Sequence, residues 1–438
     1  MAPVPWECIG LCVLTYTMVH VSCQVITCSL PYLAEDESFQ DAWSTSDLGS
    51  VLGFAALSAA IGYGVHGPSI DRWGVIFGLG VALGGCGLGV AALAAAETKV
   101  QFVIGAALVR FSYAAGWPAE MKALKLIVPE EHQGMAVSTL GFASRGGAIL
   151  GRGLFGVLLQ TFTWREVAWQ AAQVLLFAGG AAVLSMRALI QSRGKAAAKA
   201  VHQEMMPLRS VVQEPAVWLV TAAFAFLCHV QHADDFMPLL FRGLTNSRNV
   251  VLSCVFPGGG IAAMVLNTWK GHLLKRRQRE QLYVLNSVMA AIFLSLLLLV
   301  PETDEPGWIC TLVVAVSLFF VAFFCAFPYY LVPNLFAFDM MGTECATLIG
   351  FFELTSFSSM MPAHMLLLRI AGTYGWSYAL VQMAITMSFA ALFLSLLLPK
   401  WRAIRDRAQG APVEDGHVSG YRQLRPAPEG PMPKASQS

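Results

Sequence analysis

The octapeptide Gly67-Pro68-Ser69-Ile70-Asp71-Arg72-Trp73-Gly74 stands between two apolar stretches, residues 47 to 67 and 75 to 95. Each stretch has the length of a membrane-spanning helix, since about 20 apolar residues cross a hydrocarbon layer ~30 Å thick. The glycines allow tight turns, and Asp71 can face a helix N-terminus, where the helix dipole favours an anion. We therefore predict a short turn at the membrane surface that holds neighbouring helices together.

The whole chain of 438 residues has the same apolar character, with 56% hydrophobic residues, 13% charged residues and a mean hydropathy of +0.60. This composition excludes a water-soluble protein. Because lipid cannot hydrogen-bond the backbone, each crossing is expected to be helical. We predict an all-α integral membrane protein with twelve transmembrane helices, at residues 9 to 30, 47 to 67, 75 to 95, 100 to 121, 134 to 159, 167 to 189, 216 to 240, 249 to 269, 281 to 300, 307 to 332, 343 to 368 and 376 to 398.

The distribution of basic residues predicts the orientation of these helices. If both termini are cytoplasmic, twenty of the 28 Lys and Arg lie inside, five lie outside and three lie within the spans. This bias agrees with the positive-inside rule. The first span is longer than a signal-peptide core and is expected to be retained. No sorting signal distinguishes the plasma membrane from an organelle membrane.

Three motifs fall at junctions between spans: the octapeptide, Arg110-Phe111 followed by Gly116-Trp117-Pro118, and Trp164-Arg165-Glu166. Their order and spacing resemble the major facilitator superfamily of transporters. The resemblance implies two bundles that rock about a central site and a latch on the cytoplasmic side. Val75 and Ile76 depart from it, because basic residues are usual there. The residues expected to form the latch are Gly67, Asp71, Arg72 and Gly74.

Repeated features predict two pseudo-symmetric six-helix bundles. Gly67-x3-Asp71-Arg72 follows the second span, and Gly271-x3-Lys275-Arg276 follows the eighth. Duplicated bundles of this kind place a binding site between them near the bilayer midplane. The expected divisions are an N-terminal bundle at residues 1 to 190, a cytoplasmic linker at 191 to 215, a C-terminal bundle at 216 to 400 and a disordered cytoplasmic tail at 401 to 438.

A narrower resemblance begins at Gly116-Trp117-Pro118 and continues through Val128 to Gly134, with Asp235-Phe-Met-Pro238 in span seven. These segments are similar to the organophosphate:phosphate antiporters and the related anion:cation symporters. The resemblance implies a phosphate-binding arginine in spans one and seven. Span one contains no Arg or Lys, and span seven has His229, Val230 and Gln231 near the expected place. This departure speaks against a phosphate ester but not against a less highly charged organic anion.

Polar residues within the spans are the candidate contacts of the solute. Thr17, His20, Gln24 and Thr27 share one face of span one, where they either line a cavity or hydrogen-bond a neighbouring helix. Arg110 lies in span four, where a cation costs at least ~2.5 kcal/mol unless it faces protein or water. It either contacts the solute or caps neighbouring carbonyl groups.

Span five carries Arg145 and Arg152 on one stripe, and Glu353 lies at an equivalent depth in span eleven. Arg145 either attracts anions or pairs with an acid such as Glu353. His229 in span seven can titrate near neutral pH and carry a coupled proton. Its His-x-x-His spacing with His232 is too sparse to indicate a metal site.

These patterns predict a secondary active transporter that moves a small organic anion, such as a phosphorylated or carboxylated metabolite, by alternating access. Coupling to a proton or to an exchanged anion is expected. The alternatives are a transporter-like receptor or scaffold without transport, or a facilitator of neutral or cationic solutes. The predicted solute contacts are His20, Gln24, Arg110, Tyr113, Arg145, His229, Tyr330 and Asn334, and the predicted proton carriers are Glu353, His229 and Glu120.

The remaining expectations concern partners. We expect a monomer in a lipid bilayer, with no nucleic-acid partner, because the basic residues lie in short membrane-flanking loops. We expect no enzymatic activity, no cofactor and no metal, because the nine histidines are scattered along the chain.

Overall fold

The computed structural model describes most of the chain. The predictions for residues 199 to 207 of the linker, for Asp235 and Pro238, and for the tail from residue 409 lie outside the described residues. Those described are 5–33, 36, 39, 45–198, 208–233, 237, 240, 244, 254–300 and 307–408.

Within these residues the chain forms twelve long helices and no strand, which confirms the predicted fold class. A six-residue linker helix, Leu208–Gln213, precedes the seventh. The long helices are α1 (Trp6–Leu33), α2 (Thr45–Trp73), α3 (Val75–Ala94), α4 (Lys99–Ile127), α5 (Glu130–Leu158), α6 (Trp164–Ala198), α7 (Pro215–Gln231), α8 (Val255–Lys270), α9 (Arg276–Leu299), α10 (Trp308–Met341), α11 (Cys345–Tyr374) and α12 (Trp376–Ala408).

Seven helical stretches in the described part of the chain are long and apolar enough to cross a membrane, and one of them, Trp308–Tyr374, contains both α10 and α11. Helix α7 is apolar but has only 17 described residues. Helices α2, α5 and α8 complete the twelve. The first six helices form the N-terminal bundle and the last six the C-terminal bundle, with α2 packed along α11 and α5 along α8.

The helices extend beyond the predicted apolar spans. Helix α6 runs to Ala198, inside the stretch assigned to the linker, and α12 runs to Ala408. Hydropathy marks only the part of a helix that lies in hydrocarbon. Charged residues such as Arg402 continue the same backbone hydrogen bonds into the aqueous layer.

Helix α4 is interrupted where a proline requires it. Its two segments, Lys99–Tyr113 and Gly116–Ile127, are separated by a turn at Ala114 and Ala115. Pro118 has no N–H to bond the carbonyl of Ala114, and its ring would clash with that carbonyl in a regular helix. The interruption lies directly before Trp117, which lines the central cavity.

Helices α2 and α11 touch through two glycines, Gly67 and Gly350. A Cβ atom on Gly67 would lie 2.7 Å from the carbonyl oxygen of Ala346, and one on Gly350 would lie 2.6 Å from that of Tyr63. Only hydrogen fits at these distances, so the two backbones meet directly. This contact joins the two bundles at the membrane surface where α2 ends.

We call that surface the basic side, because Arg72, Lys122 and Arg276 lie there, and the opposite surface the distal side. At the distal side the third sequence motif ties α6 to α1 and α3. Trp164 donates to Asp36 at 2.7 Å, and Arg165 donates to the carbonyl oxygens of Ala94 and Ala96.

Candidate functional site

The two bundles are held together at the basic side by Asp71. Its Oδ2 accepts a hydrogen bond from the backbone N–H of Thr347 at 2.6 Å, in the first turn of α11. Its Oδ1 accepts from Lys122 Nζ at 2.9 Å. The sequence argument predicted that Asp71 faces a helix N-terminus, and the structure identifies that helix as α11.

Lys122 adds a second connection between the bundles. Its Nζ lies 3.3 Å from Glu344 Oε2, just before α11. The side chains of Lys122 and Asp71 are only 7% and 9% exposed, so solvent screens these charges less than on an open surface. The residues predicted from the sequence to form the latch include neither Lys122 nor Glu344.

The remaining latch residues have different surroundings. Gly74 has φ +90° and turns the chain between α2 and α3. Arg72 is exposed, with its guanidinium 5.9 Å from the ring centre of its neighbour Trp73. In this conformation Arg72 therefore lies away from the contact between the bundles, while Gly67 and Asp71 lie in it.

A second ionic connection uses Arg276, at the start of α9. It lies 3.1 Å from Glu130 of α5, in the other bundle, and also pairs with Asp339 of α10. Nearby, Glu280 pairs with Arg402 and Arg405 of α12. The motif at Gly271 to Arg276 thus supplies the C-terminal bundle with its own charged contact at the same surface.

Polar contacts between the bundles continue inward from the basic side. Trp117 Nε1 donates to Asn334 Oδ1 at 3.1 Å, and Arg145 Nε donates to the Tyr330 hydroxyl at 2.9 Å. Together with the contacts of Asp71, Lys122 and Arg276, they form a set of polar contacts between the bundles that extends from this depth to the basic side. The molecule is therefore closed toward the basic side.

Beyond this closure lies a central cavity of about 800 Å³. Its lining begins at Trp117 and Asn334 and reaches Thr27 near the distal end of α1 and Leu368 near the distal end of α11. Both bundles contribute to the walls. Of the predicted solute contacts, the cavity brings together His20, Gln24, Arg110, Tyr113, Arg145, Tyr330 and Asn334.

The described lining of the cavity includes three arginines, and neighbouring groups hold each one. Arg110 lies over the Tyr113 ring, 5.7 Å from its centre. Arg152 donates to Gln24 Oε1 at 3.1 Å. Arg145 donates to Tyr330 and lies beside the Gln231 amide, whose oxygen, when turned toward Arg145, accepts from Nε and Nη2 at 3.3 and 3.0 Å.

Glu353 is the one acidic residue among the described lining residues. Its side chain is buried, and among the described residues its Oε2 has no hydrogen-bond partner and its carboxyl group makes no ion pair. A buried carboxyl group inside a membrane protein is costly, and such groups mark ion or proton pathways. The alternative in which Glu353 pairs with Arg145 is not the arrangement in this conformation.

Two matching His–Tyr pairs face the cavity. In the N-terminal bundle, His20 Nε2 of α1 lies 3.3 Å from the Tyr113 hydroxyl of α4. In the C-terminal bundle, His232 Nε2 lies 3.3 Å from the Tyr329 hydroxyl of α10. Sequence analysis missed the second pair. Alignment of span one with span seven and of span four with span ten could have found it.

Two predicted residues lie outside the cavity lining. The His229 ring packs toward α12, with its Nε2 3.2 Å from Gln382 Nε2, because residue 229 lies on a different face of α7 from His232. Glu120 is fully buried between α1 and α4, where its Oε1 accepts from Thr15 at 2.6 Å. The structure therefore does not place His229 or Glu120 at the solute cavity.

The sequence profile of the Major Facilitator Superfamily matches residues 12–344. No curated protein is detectably similar to this chain in sequence. Solved transporters share the fold at low identity. The proton:xylose symporter XylE, bound to 6-bromo-6-deoxy-D-glucose, is 15% identical with a TM-score of 0.69, over 90% of this chain and 96% of its own.

Two further structures are similar over comparable lengths. A variant of the Escherichia coli fucose:proton symporter FucP is 13% identical with a TM-score of 0.64, over 89% of this chain and 98% of its own. The human organic anion transporter MFSD10 (TETRAN) is 11% identical with a TM-score of 0.67, over 90% and 100%. At these identities the likeness establishes the fold and not the solute. The profile match over most of the chain, together with a cavity between two six-helix bundles, shows that this multi-pass membrane protein belongs to the major facilitator superfamily and is a transporter.

Proposed function

We propose that this transporter moves small organic anions across the membrane by alternating access. The observation that carries the proposal is the set of three arginines, Arg110, Arg145 and Arg152, in one cavity whose described lining contains a single acid, Glu353. Cations inside a membrane protein face a cavity or a partner and mark solute pathways. Their positive potential favours an anion between the bundles.

The distribution of contacts supports alternating access. The Asp71, Lys122 and Arg276 contacts close the basic side, while the cavity reaches toward the distal side. Breaking these contacts would let the bundles rotate about the Arg145–Tyr330 level and expose the cavity to the other surface. The positive-inside bias supports placing the basic side, and with it both chain termini, in the cytoplasm.

Glu353 is the proposed site of coupling to a proton or to an exchanged anion. It faces the same cavity as Arg145. A proton on Glu353 would remove the negative charge that competes with the solute for the arginines, so solute and proton would bind together. Without proton coupling, a second anion would bind to the same arginines and cross in the opposite direction, so that the transporter would exchange one anion for another.

The side chain beside Arg145 indicates how much negative charge the solute carries. Helix α7 contributes the neutral amide of Gln231 at the place where the organophosphate antiporters are expected to carry an arginine. We therefore propose a less highly charged anion, such as a monocarboxylate, over a phosphate ester.

The test is uptake into proteoliposomes that contain the purified protein. A panel should compare monocarboxylates, dicarboxylates, phosphate esters and neutral sugars, with and without an inward proton gradient or a preloaded anion. We expect uptake of at least one anion class, stimulated by one of these two conditions. Uptake of sugars alone would contradict the anion proposal, and binding without any uptake would favour a receptor or scaffold.

A matched pair of variants tests the site. Arg145→Gln removes a charge from the cavity and should reduce anion uptake at least tenfold, since a lost charge-assisted hydrogen bond costs about 1.5–3 kcal/mol. Arg277→Gln removes a charge from an exposed position after α8 and should leave uptake unchanged. Equal uptake by both variants would contradict the role of Arg145.

A further inference from the structure

The central cavity changes character along its length. Its deep end carries the charged and hydrogen-bonding groups, with Arg145, Glu353 and His20 near the Trp117–Asn334 closure. Toward the distal end, Gln24, Thr27 and Arg152 line the cavity on the side of α1 and α5, and apolar side chains line it on the side of α2 and α11, one helix from each bundle. These apolar side chains include Phe54, Leu57, Met361, Met365 and Leu368.

The same distal residues belong to the outer surface of the helices. Phe54 is 56% exposed and Leu57 47% exposed, on one stripe of α2 that continues to Ile61 and Val65. The spacing of these four residues, three or four apart, is that of one helix face. The stripe is apolar throughout, and its end at Phe54 and Leu57 lines the cavity.

Helix α11 also has exposed apolar residues that line the cavity. Met361 is 41% exposed, Met365 63% and Leu368 41%, and all three line the cavity. With Phe54 and Leu57 of α2, these side chains form an apolar wall of the cavity. We call the space along this wall the gap between α2 and α11.

The contact between α2 and α11 is less close at this level than toward the basic side. Among the described residues, a Cβ atom on Gly53 would make an ordinary van der Waals contact with Met361 Cε, at 3.9 Å, whereas Gly67 and Gly350 allow no side chain at all. Methionine is flexible and adapts its shape to different apolar neighbours. The apolar wall can therefore adjust to an apolar chain through the side chains of Met361 and Met365.

We propose that the solute is an amphiphilic anion, with its charged group at Arg145 and its apolar part in the gap between α2 and α11. This inference rests on the proposed anion transport and specifies its substrate class. A compact hydrophilic anion would gain nothing from the apolar wall of the cavity. An alkyl or aryl group would bury there against Phe54, Met361 and Met365, which is favourable by the hydrophobic effect.

The test is the binding of n-alkyl sulfonates to the full-length protein in lipid nanodiscs, from ethanesulfonate to hexanesulfonate and decanesulfonate. Sulfonates keep their charge at any working pH, so only the apolar length varies. Free concentrations are measured against empty nanodiscs, which corrects for partition into lipid. Affinity should rise about fourfold for each added methylene while the chain fits the gap, the factor expected from burying one CH2 group.

Two comparisons locate the bound molecule. Hexyltrimethylammonium has the same chain with a positive head group and should bind at least tenfold more weakly than hexanesulfonate. Gly53→Trp places a large side chain in the gap and should abolish the gain with chain length while leaving ethanesulfonate binding unchanged. Gly156→Trp is the matched control, because a Cβ atom at Gly156 meets nothing within 4 Å.

Each outcome decides the proposal. Equal affinity for ethanesulfonate and hexanesulfonate, or an unchanged length dependence in Gly53→Trp, would overturn it. Anion uptake in the proteoliposome panel would then leave the proposed function standing, whereas the absence of any anion uptake would remove both. If Gly53→Trp does not fold, Met361→Ala shortens an apolar contact in the gap and should lower the gain per methylene.

Discussion

The closure at the basic side predicts that Asp71→Asn opens the start of α11. The Asp71 carboxylate accepts from the Thr347 N–H at 2.6 Å and from Lys122 Nζ at 2.9 Å. Asparagine has nearly the same shape and can still accept one neutral hydrogen bond. The substitution therefore removes the charge and leaves the packing of α2 against α11 in place.

The expected size of the effect follows from the one Asp71 bond that joins the two bundles, the bond from the Thr347 N–H, because Lys122 lies in the same bundle as Asp71 and can keep its contact in the open form. Hydrogen bonds to charged groups are worth about twice as much as neutral ones, and a neutral one contributes about 1 kcal/mol. Loss of the charge from this bond costs about 1 kcal/mol, which shifts the equilibrium toward the form open at the basic side about fivefold.

Hydrogen exchange measured by mass spectrometry detects this shift at the Thr347 amide. The Thr347 amide exchanges only when its bond to Asp71 is broken, so its exchange rate reports the population of the open form. We expect the peptide that contains Thr347 to exchange about fivefold faster in Asp71→Asn. Peptides in the middle of α12 should be unaffected.

Arg72→Gln is the matched control, one residue farther along and exposed. It should leave exchange at Thr347 unchanged, because Arg72 lies away from the contact between the bundles. Unchanged exchange in Asp71→Asn would refute the closure argument. Faster exchange in Arg72→Gln would show that Arg72 also holds the two bundles together.

Three further predictions follow from the same geometry. Gly350→Ala should lower the thermal unfolding temperature by several degrees, because its Cβ would lie 2.6 Å from a carbonyl oxygen of α2, whereas Gly372→Ala, with open space around it, should not. Glu353→Gln cannot exchange a proton, so proteoliposome uptake should lose its response to a pH gradient while anion exchange persists. A retained response would exclude Glu353 as the coupling group. His232→Phe should weaken solute binding about tenfold, because it breaks the His232–Tyr329 pair that faces the cavity. His229→Phe should leave the affinity within twofold. Titration of the identified anion measures both, and a larger effect of His229→Phe would contradict the placement of His232 at the cavity.

Part of the candidate site was accessible from the sequence, because a polar residue in an apolar span points inward whatever its partner is. This reasoning reached His20, Arg110, Arg145 and Glu353, which all line the cavity. It did not separate His229 from His232 in span seven, because choosing between them requires the rotation of α7 about its axis. The span edges did not fix that rotation.

The latch shows the same limit. Asp71 was predictable from its turn, but its partner Thr347 was not, since the two residues are separated by 276 positions in the chain. Nothing local marks such a pair. Their contact depends on how closely the two bundles approach, which Gly67 and Gly350 set by bringing the backbones of α2 and α11 together.

The sequence by itself determined the twelve helices, because each crossing must satisfy its own backbone hydrogen bonds in lipid and so carries its signature in a single continuous stretch. It also determined that charges such as Arg145 had to face the interior. Only the tertiary structure decided which charges meet, which surface is closed and which side chains line the cavity. Those features arise from contacts between helices far apart in the chain, whose rotation and distance depend on the packing of the whole molecule.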